Sequence, residues 1–255
     1  SEPTANVTVA LSSSNTAEGT VPASVTFTPV NWNIPQTITV TGIDDFISDG
    51  AINYNIITGD VASADLAYDA LDGTTIADIS MVNQDNDPPG FSVATVSNLT
   101  NTSEDGTQTV TVQFALLSQP AGGASVTIPV SISDASEGTI QGGITNVVIT
   151  NANWNNPSAN QIIIEGVNDF VDDGDVLYQL VTGDVSSADP VYDASTATSI
   201  ADIILTNIDN DTAGITITET SGTAVVEGGV GDSFGIKLAT QPTSLVTVNV
   251  INPNP

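Results

Sequence analysis

The chain has 255 residues, and 30 acidic residues against one basic residue give it a formal net charge of −29. A surface this negative repels nucleic acid and anionic membranes and favours cations as partners, so we expect no nucleic-acid partner. The absence of cysteine and histidine excludes disulfides, the usual zinc sites and nearly every common pairing of a nucleophile with a general base. No apolar run approaches the roughly 20 residues of a membrane span, so we expect no direct membrane insertion.

The strongest feature in the sequence is an internal repeat. Residues 42–90 match residues 166–214 at a constant offset of 124 without a gap. Before residue 42 the two copies align at a shorter offset, as the pairing of Trp32 with Trp154 shows. Small insertions in loops would account for this difference in offset. A third copy starts at Gly214. We therefore predict that 1–88 is the C-terminal part of one repeat, 89–212 a complete repeat and 213–255 the N-terminal part of a third.

The middle copy contains short alternating apolar segments that are separated by clusters of Gly, Asn and Asp, a pattern typical of strands and turns. No segment has a convincing helical period. Seven or so short strands in about 122 residues indicate an all-β, immunoglobulin-like antiparallel β-sandwich. Tandem sandwiches of this kind would form a rod. The predicted strands are 108–114, 125–132, 161–164, 176–181 and 200–206.

Acidic residues cluster in the predicted loops, and loops that alternate along a sandwich meet at one end. Two carboxylates about 4 Å apart repel by about 4 kcal/mol at an effective dielectric of 20, so such a cluster opposes folding unless a cation fills it. Ca²⁺ takes six to eight oxygen ligands, whereas Mg²⁺ prefers a small rigid octahedron. We predict Ca²⁺ ligands at Glu104, Asp169, Asp173, Asp209 and Asp211, with Asp134 or Glu137 completing the shell and Asp172 at the same pole. The first repeat offers Glu18, Asp44, Asp45, Asp49, Asp85 and Asp87; a solvated acidic surface is the alternative.

Three other sets of residues recur between the repeats. Trp32 and Trp154 lie in Asn-Trp-Asn-x-Pro, where we expect a core position in preference to a sugar-stacking platform. Buried rings with a hydroxyl partner are expected at Tyr54, Tyr68, Tyr178 and Tyr192. Six aspartates also recur, and we expect them to form either a second cation site or turns held by hydrogen bonds from side chain to backbone. They are Asp60, Asp65, Asp69, Asp184, Asp189 and Asp193.

The acidic segments of the middle repeat resemble the signature of the Calx-beta family. The resemblance rests on three segments: residues 166–175 with the following strand of alternating apolar and polar residues, the acidic segment 209–215 at the end of the repeat, and the turn 103–107 that contains a glutamate. It covers the repeat end to end and implies a Ca²⁺-binding sandwich of the kind found in sodium-calcium exchangers and many bacterial surface proteins. Arrays with this composition look most like giant bacterial adhesins. Asn168 and Asn210 stand where the family often has acids, and Gly174 interrupts the acidic run, which implies fewer or weaker ion sites.

These observations favour a Ca²⁺-stiffened structural repeat of an extracellular, cell-surface or secreted adhesin or fibre, which would extend a binding tip from the cell. The alternative is a module that binds glycan or ice, which needs an exposed aromatic platform or a flat Thr array. An enzyme with a carboxylate pair is disfavoured, because the acids return in every copy. The expected partners are Ca²⁺ and the neighbouring repeats of the chain.

The ends of the chain fall inside repeats. Residues 1–3 correspond to 118–120 and to 240–242, so the first copy lacks two opening strands of the kind that 213–255 supply. Head-to-tail copies in a fibre could exploit this by strand donation. However, Val246-Thr247-Val248 and Val7-Thr8-Val9 occupy the same repeat position and would compete for one strand slot. That overlap favours an excerpt from a longer continuous array.

Overall fold

The computed structural model describes residues 1–193, 200–219 and 222–251. Its contacts divide the chain into two compact units, Ser1–Pro89 with Leu117–Gly122, and Gly90–Leu116 with the chain from Gly123 onward. Residues 194–199 of the predicted segment 89–212 lie outside the described residues. So do residues 220–221 and 252–255 of the predicted segment 213–255.

The first unit contains two sheets of the first repeat. Their orders are β3-β1-β5-β6 and β2-β4, and every pairing in them is antiparallel. One short helix that the sequence pattern did not predict, α1, follows β5; it begins because the Asp65 side chain accepts a hydrogen bond from the Ala67 N–H at 3.0 Å. The elements are β1 (Val7–Ser13), β2 (Gly19–Thr20), β3 (Ser24–Phe27), β4 (Thr41–Gly42), β5 (Ile52–Ser63), α1 (Leu66–Asp69) and β6 (Ile79–Asn83).

The second unit contains the middle repeat and a hairpin. One sheet has the order β12-β10-β14-β16-β8, with β15 also on β10, and the other has the order β11-β13-β9-β7. The strands are β7 (Phe91–Thr95), β8 (Asn101–Ser103), β9 (Thr109–Leu116), β10 (Ser125–Ile132), β11 (Gly138–Ile140), β12 (Asn146–Thr150), β13 (Gln161–Gly166), β14 (Val176–Thr182), β15 (Ser186–Ser187), β16 (Ile203–Ile208), β17 (Ile215–Glu219) and β18 (Phe234–Leu238). Short 3₁₀ turns cover Val96–Asn98, Ala121–Gly123, Gln141–Gly143 and Pro157–Ala159.

The predicted all-β antiparallel sandwich is confirmed. Strand β10 shows why it forms: its residues alternate between the two faces of the sheet, and Val126, Ile128 and Val130 are buried on one of them. Phe114 and Ile164 of the opposite sheet belong to the same buried cluster. The core of the middle repeat therefore lies between its two sheets.

The strand predictions are accurate to within a few residues, and one pairing differs from a purely antiparallel sandwich. The predicted strand 200–206 is observed as β16 and begins at Ile203. Its neighbour β8 runs parallel to it, with Ile208 opposite Ser103. Within the part of the chain that the structure describes, no helix has the length and apolar character needed to cross a membrane.

The recurring aromatic residues lie mainly where the sequence predicts. Tyr54, Tyr178 and Tyr192 are buried, whereas Tyr68 is only partly buried. The hydroxyls of Tyr178 and Thr102 are 2.9 Å apart. Trp154 packs against the core, as expected. Trp32 remains 38% exposed, so the core prediction holds less well in the first repeat.

Candidate metal centre

The parallel pair β8 and β16 brings the central acids of the middle repeat together. Glu104 directly follows β8, while Asp209 and Asp211 come one and three residues after the end of β16. Because the two strands run the same way, their C-terminal ends meet at one end of the sheet. One carboxylate oxygen from each of Glu104, Asp209 and Asp211 lies within 4.8 Å of the others. These three residues are called the acidic triad below.

Glu104 is the buried member of the triad, with 5% of its surface exposed. Its backbone N–H donates to the Ile208 carbonyl oxygen at 3.1 Å. Its Oε2 accepts a hydrogen bond from the Asn210 N–H at 3.3 Å. Burial raises the pKa of the Glu104 carboxyl, and the neighbouring charges of Asp209 and others raise it further. A buried carboxylate that faces like charges is stabilised when a cation binds between them.

The two aspartates after β16 have opposite electrostatic environments. The Asp211 N–H donates to Asp209 Oδ1 at 2.7 Å and the Gly174 N–H to Asp209 Oδ2 at 2.8 Å. These bonds lower the pKa of Asp209. Desolvation, followed by the charge of Asp209, raises the pKa of Asp211. Asp211 Oδ2 is buried and has no hydrogen-bond partner among the described residues. An oxygen in this position has its lone pairs free for a metal ion.

The loop 167–175 supplies the second wall of the site. The Asp169 carboxylate accepts from the Val171 N–H at 2.7 Å, and Asp172 Oδ2 accepts from the Ala213 N–H at 2.7 Å. Asp169 and Asp173 are close enough to raise the pKa of Glu104 through their charges. Gly174 has a φ of +77°, a left-handed conformation that glycine adopts without strain. The glycine that interrupts the acidic run is therefore required by the loop.

Glu137 also faces this wall, whereas Asp134 is engaged in its own turn. Glu137 is 7% exposed, and its pKa is raised by burial first and then by Asp173 and other acids. The Asn207 Nδ2 donates to Glu137 Oε2 at 3.4 Å. By contrast, Asp134 Oδ1 accepts from the Ser136 N–H at 3.0 Å and from its hydroxyl at 2.5 Å. Of the two candidates for completing the shell, the geometry favours Glu137.

The first repeat has a second acidic site with the same hydrogen bonds. The Gly50 N–H donates to Asp85 Oδ2 at 2.8 Å, and the Asp87 N–H donates to Asp85 Oδ1 at 2.7 Å. Desolvation and the charge of Asp44 raise the pKa of Asp87. A small, partly open pocket at this site has a volume of about 20 Å³, and the acids that line it are Glu18, Asp45, Asp49, Asp85 and Asp87. A space of this size accommodates one small ion or one water.

These two sites fit Ca²⁺ by the chemistry of their donors. Each offers carboxylate oxygens, with amide and backbone oxygens nearby, and neither contains a nitrogen or sulfur ligand of the kind that zinc prefers. The unpaired Asp211 Oδ2 is an oxygen of the acidic triad that is available to a metal ion. Its charge would offset the repulsion between the crowded carboxylates.

An asparagine at each site was not predicted as a functional residue. The Asn207 side-chain amide donates to Glu137 Oε2 at 3.4 Å and to the Val167 carbonyl oxygen at 3.0 Å. Asn83 makes the equivalent bonds to Glu18 Oε2 at 3.2 Å and to the Ile43 carbonyl oxygen at 2.8 Å. The recurrence of this residue at a fixed offset was the signal that could have identified it.

The remaining recurrent aspartates mostly hold turns. Asp65 caps α1 and also accepts from the Thr4 N–H at 2.8 Å. Asp60 accepts from the Gly73 N–H at 3.2 Å, Asp69 from the Ser63 N–H at 3.1 Å and Asp189 from the Val191 N–H at 2.9 Å. These side-chain to backbone bonds support the turn interpretation over a second cation site.

Comparison with known proteins assigns no family. No family model and no curated protein matches the chain. Among solved structures, the chain is similar to domains 4 and 5 of the S-layer protein SbsC, with a TM-score of 0.30 and 10% identity over 78% of this chain and 69% of that one. It is also similar to domains 4–9 of the surface layer protein SbsC, with a TM-score of 0.31 and 9% identity over 92% of this chain and 28% of that one. These values are too low to assign a function.

Proposed function

We propose that the chain is a Ca²⁺-binding structural repeat segment of an extracellular surface adhesin or fibre. The observation that carries the proposal is the acidic triad, with its buried Glu104 and its unpaired Asp211 oxygen. A second acidic site with matching hydrogen bonds in the first repeat supports it. The acidic loop and the two aspartates that pair with Asp209 and Asp211 recur in the first repeat. This recurrence suits a structural role better than a single active site does, and the Calx-beta resemblance implies Ca²⁺.

The proposed role of Ca²⁺ is to stiffen the chain where one repeat follows another. In the second unit, Asp172 of the acidic loop is bonded to Ala213, and the Gln241 N–H donates to the Phe170 carbonyl oxygen at 2.6 Å. In the first unit, the Gln119 N–H donates to the Phe46 carbonyl oxygen at 2.6 Å. The acidic loop of each repeat therefore contacts a segment that belongs to the following repeat. An ion that fixes this loop would also restrict the segment bonded to it.

An extracellular location suits this mechanism, because extracellular Ca²⁺ modules typically bind with dissociation constants of about 10⁻⁴–10⁻³ M. The chain would then act as a spacer that holds a binding tip away from the cell surface. The core position of Trp154 leaves the middle repeat without that ring as a sugar-binding platform, so the glycan alternative gains no support from it.

Thermal unfolding tests the proposal. A ligand that binds only the folded state adds about 2.7 kcal/mol of stability at a hundredfold excess over its dissociation constant. We expect the melting temperature to rise when chelator is replaced by millimolar Ca²⁺, and to rise less with Mg²⁺ at the same concentration and ionic strength. Equal melting temperatures in chelator and Ca²⁺ would refute the proposed function.

A further inference from the structure

Asn207 is a buried side chain that connects three strands next to the acidic triad. It is 1% exposed and lies on β16, two residues before Asp209. Its side-chain amide donates to the carboxylate of Glu137, which precedes β11, and to the backbone carbonyl of Val167, which follows β13. The Val167 N–H in turn donates to the Glu137 carbonyl oxygen at 3.0 Å. These hydrogen bonds tie β16 to the start of β11 and the end of β13.

The same three bonds recur in the first repeat. The Ile43 N–H donates to the Glu18 carbonyl oxygen at 3.0 Å. The Asn83 amide donates to the Glu18 carboxylate and to the Ile43 carbonyl oxygen. A glycine precedes Ile43, as one precedes Val167, and an added Cβ there would overlap the amide oxygen of the asparagine. Each repeat therefore leaves space for the buried amide and uses it in the same way.

Two buried hydroxyl groups set the orientation of the Asn207 amide. Thr102 Oγ1 lies 3.2 Å from Asn207 Oδ1 and 3.4 Å from the Thr206 carbonyl oxygen. It also lies 2.9 Å from the hydroxyl of Tyr178. Because Thr102 has one hydroxyl proton and directs it towards these two acceptors on β16, the Tyr178 hydroxyl donates to Thr102. The amide oxygen is thereby occupied, which leaves the amide nitrogen to face the carboxylate of Glu137.

The bond from Asn207 distinguishes the two oxygens of the Glu137 carboxylate. Oε2 accepts from the amide at 3.4 Å, and Oε1 is contacted by the Ser136 hydroxyl at 3.5 Å. That hydroxyl lies closer, at 2.5 Å, to Asp134 Oδ1, so its proton is directed there. Oε1 is therefore the oxygen that Glu137 can offer to an ion.

Electrostatics connects Glu137 to the same acidic loop as the triad. Burial raises the pKa of both Glu137 and Glu104, and the charges of Asp169 and Asp173 raise both further. The bond from Asn207 acts the other way and lowers the pKa of Glu137, because it favours the ionised form. A neutral amide can do this without a positive charge that would repel a cation, whereas an aspartate in its place would have no N–H to donate.

We propose that Asn207 is a positioning residue of the middle ion site, which holds the Glu137 carboxylate in the orientation that binds Ca²⁺. This inference rests on the proposed function and assigns the equivalent role to Asn83 in the first repeat. Hydrogen bonds from residues behind the ligands orient those ligands, and their loss typically costs about 10–100-fold in metal affinity. Without the bond, repulsion from Asp169 and Asp173 would turn the Glu137 carboxylate away from the site.

Calcium titrations followed by amide NMR test this role in the intact chain. The Gly174 and Gly50 N–H groups each donate to an aspartate of one acidic site, so their signals report the two sites separately. In Asn207→Ala, the dissociation constant read from Gly174 should rise about tenfold or more, while the value read from Gly50 should not change. Asn83→Ala is the matched control and should give the reverse result. An unchanged value at Gly174 in Asn207→Ala would overturn the proposal.

A double-mutant cycle separates positioning from a general structural role. In a chain that already carries Glu137→Gln, adding Asn207→Ala should change the affinity read from Gly174 by less than about twofold, since the carboxylate that Asn207 positions is gone. An equal loss of affinity with and without Glu137→Gln would show that Asn207 acts by another route, which would contradict the proposal.

Thr102 offers a milder pair of variants that does not depend on the folding of Asn207→Ala. Thr102→Val removes the hydroxyl that orients the amide and should weaken Ca²⁺ binding at Gly174 several-fold. Thr102→Ser keeps the hydroxyl and should bind as the wild type does, although it loses a buried methyl group. Equal affinities in the two variants would count against the inference alone. A wild-type chain whose Gly174 and Gly50 signals do not respond to Ca²⁺ would refute the proposed function as well.

Discussion

Gly174 and Asp209 are joined by a hydrogen bond of 2.8 Å from the glycine N–H to the carboxylate Oδ2. The bond ties the acidic loop before β14 to the acidic segment after β16, and it recurs at 2.8 Å between Gly50 and Asp85. The loop can make it because Gly174 and Gly50 have φ angles of +77° and +79°. Hydrogen bonds from the backbone of each repeat thus help to position its acidic site.

The first prediction concerns this glycine. Gly174→Ala should destabilise the middle repeat by about 1–3 kcal/mol, because a side chain is strained at positive φ, and it should also weaken Ca²⁺ binding by displacing Asp209. The loss should appear in denaturant unfolding with chelator as well as with Ca²⁺. Gly214→Ala is the matched control, since its φ is unstrained and an added Cβ would meet only ordinary contacts. Equal effects of the two variants would contradict the role of Gly174.

The second prediction concerns the buried carboxylate of the triad. Glu104→Gln keeps an acceptor for the Asn210 N–H but removes a charge that burial and like charges disfavour. In chelator, the variant should therefore be as stable as the wild type or more stable. The stabilisation that saturating Ca²⁺ gives the variant should be smaller than in the wild type, by about 1.4 kcal/mol for each tenfold loss of affinity for Ca²⁺.

The control for this variant is Glu165→Gln. Glu165 lies on β13 and accepts a hydrogen bond from Gln141 Nε2 at 3.0 Å. It is not a member of the acidic triad. The same change of charge should leave the Ca²⁺ response intact there. A Ca²⁺ response that is unchanged in Glu104→Gln would exclude Glu104 as a ligand.

The third prediction is a pH dependence that Ca²⁺ reverses. The pKa values of Glu104 and Glu137 are raised above the ordinary 4.5, so the folded state holds their protons more tightly than the unfolded state. In chelator, these two groups should lower stability as the pH rises through the window above 4.5. Asp209 has the opposite effect, because its pKa is lowered in the folded state. It stabilises the fold at pH values above its ordinary pKa of 3.8, and this stabilisation is lost as the pH falls below that value.

With Ca²⁺ present, the ionised form of these carboxylates is the one that binds the ion. Stability from Ca²⁺ should therefore grow as the pH rises from about 4.5 to 7, opposite to the trend that Glu104 and Glu137 produce in chelator. Melting temperatures measured across this range, with and without Ca²⁺, give the two curves. Parallel curves would show that these carboxylates do not bind the ion.

The fourth prediction concerns the exit from the middle repeat. Asp172→Asn should weaken the 2.7 Å bond to the Ala213 N–H, because a neutral amide oxygen is a poorer acceptor than a carboxylate. Amide hydrogen exchange at residues 213–219 should then become faster, and Ca²⁺ should slow it less than in the wild type. Asp202→Asn, at a similar backbone bond to the Thr182 N–H of 2.9 Å, is the control and should leave residues 213–219 unchanged.

The strands and the acidic loops could be predicted from the sequence because both have local signals. Alternation of Val126, Ile128 and Val130 marks the inner face of β10, and the recurrence of Asp85 as Asp209 marks the site. The parallel pairing of β8 with β16 has no such signal, because β8 is only three residues long and its partner is about a hundred residues away. That pairing determines which three acids form the triad.

Asp134 shows why the ligand list from sequence was broader than the observed cluster. A carboxylate in a loop can hold its own turn or face a site, and composition does not distinguish these. Asn15, at the same position in the first repeat, accepts from the Ala17 N–H at 3.2 Å just as Asp134 accepts from Ser136. An uncharged amide serves equally well there, which supports turn formation as the role of Asp134.

The central claim, that the acidic sites bind Ca²⁺, is tested most directly by isothermal titration calorimetry of the chelator-treated chain. We expect saturable binding with a dissociation constant of roughly 10⁻⁵–10⁻³ M, release of protons near pH 5, and loss of one class of sites in the Glu104→Gln, Asp211→Asn double variant. Titration that yields only the heat of dilution, or a double variant that binds as many ions with unchanged affinity, would contradict it.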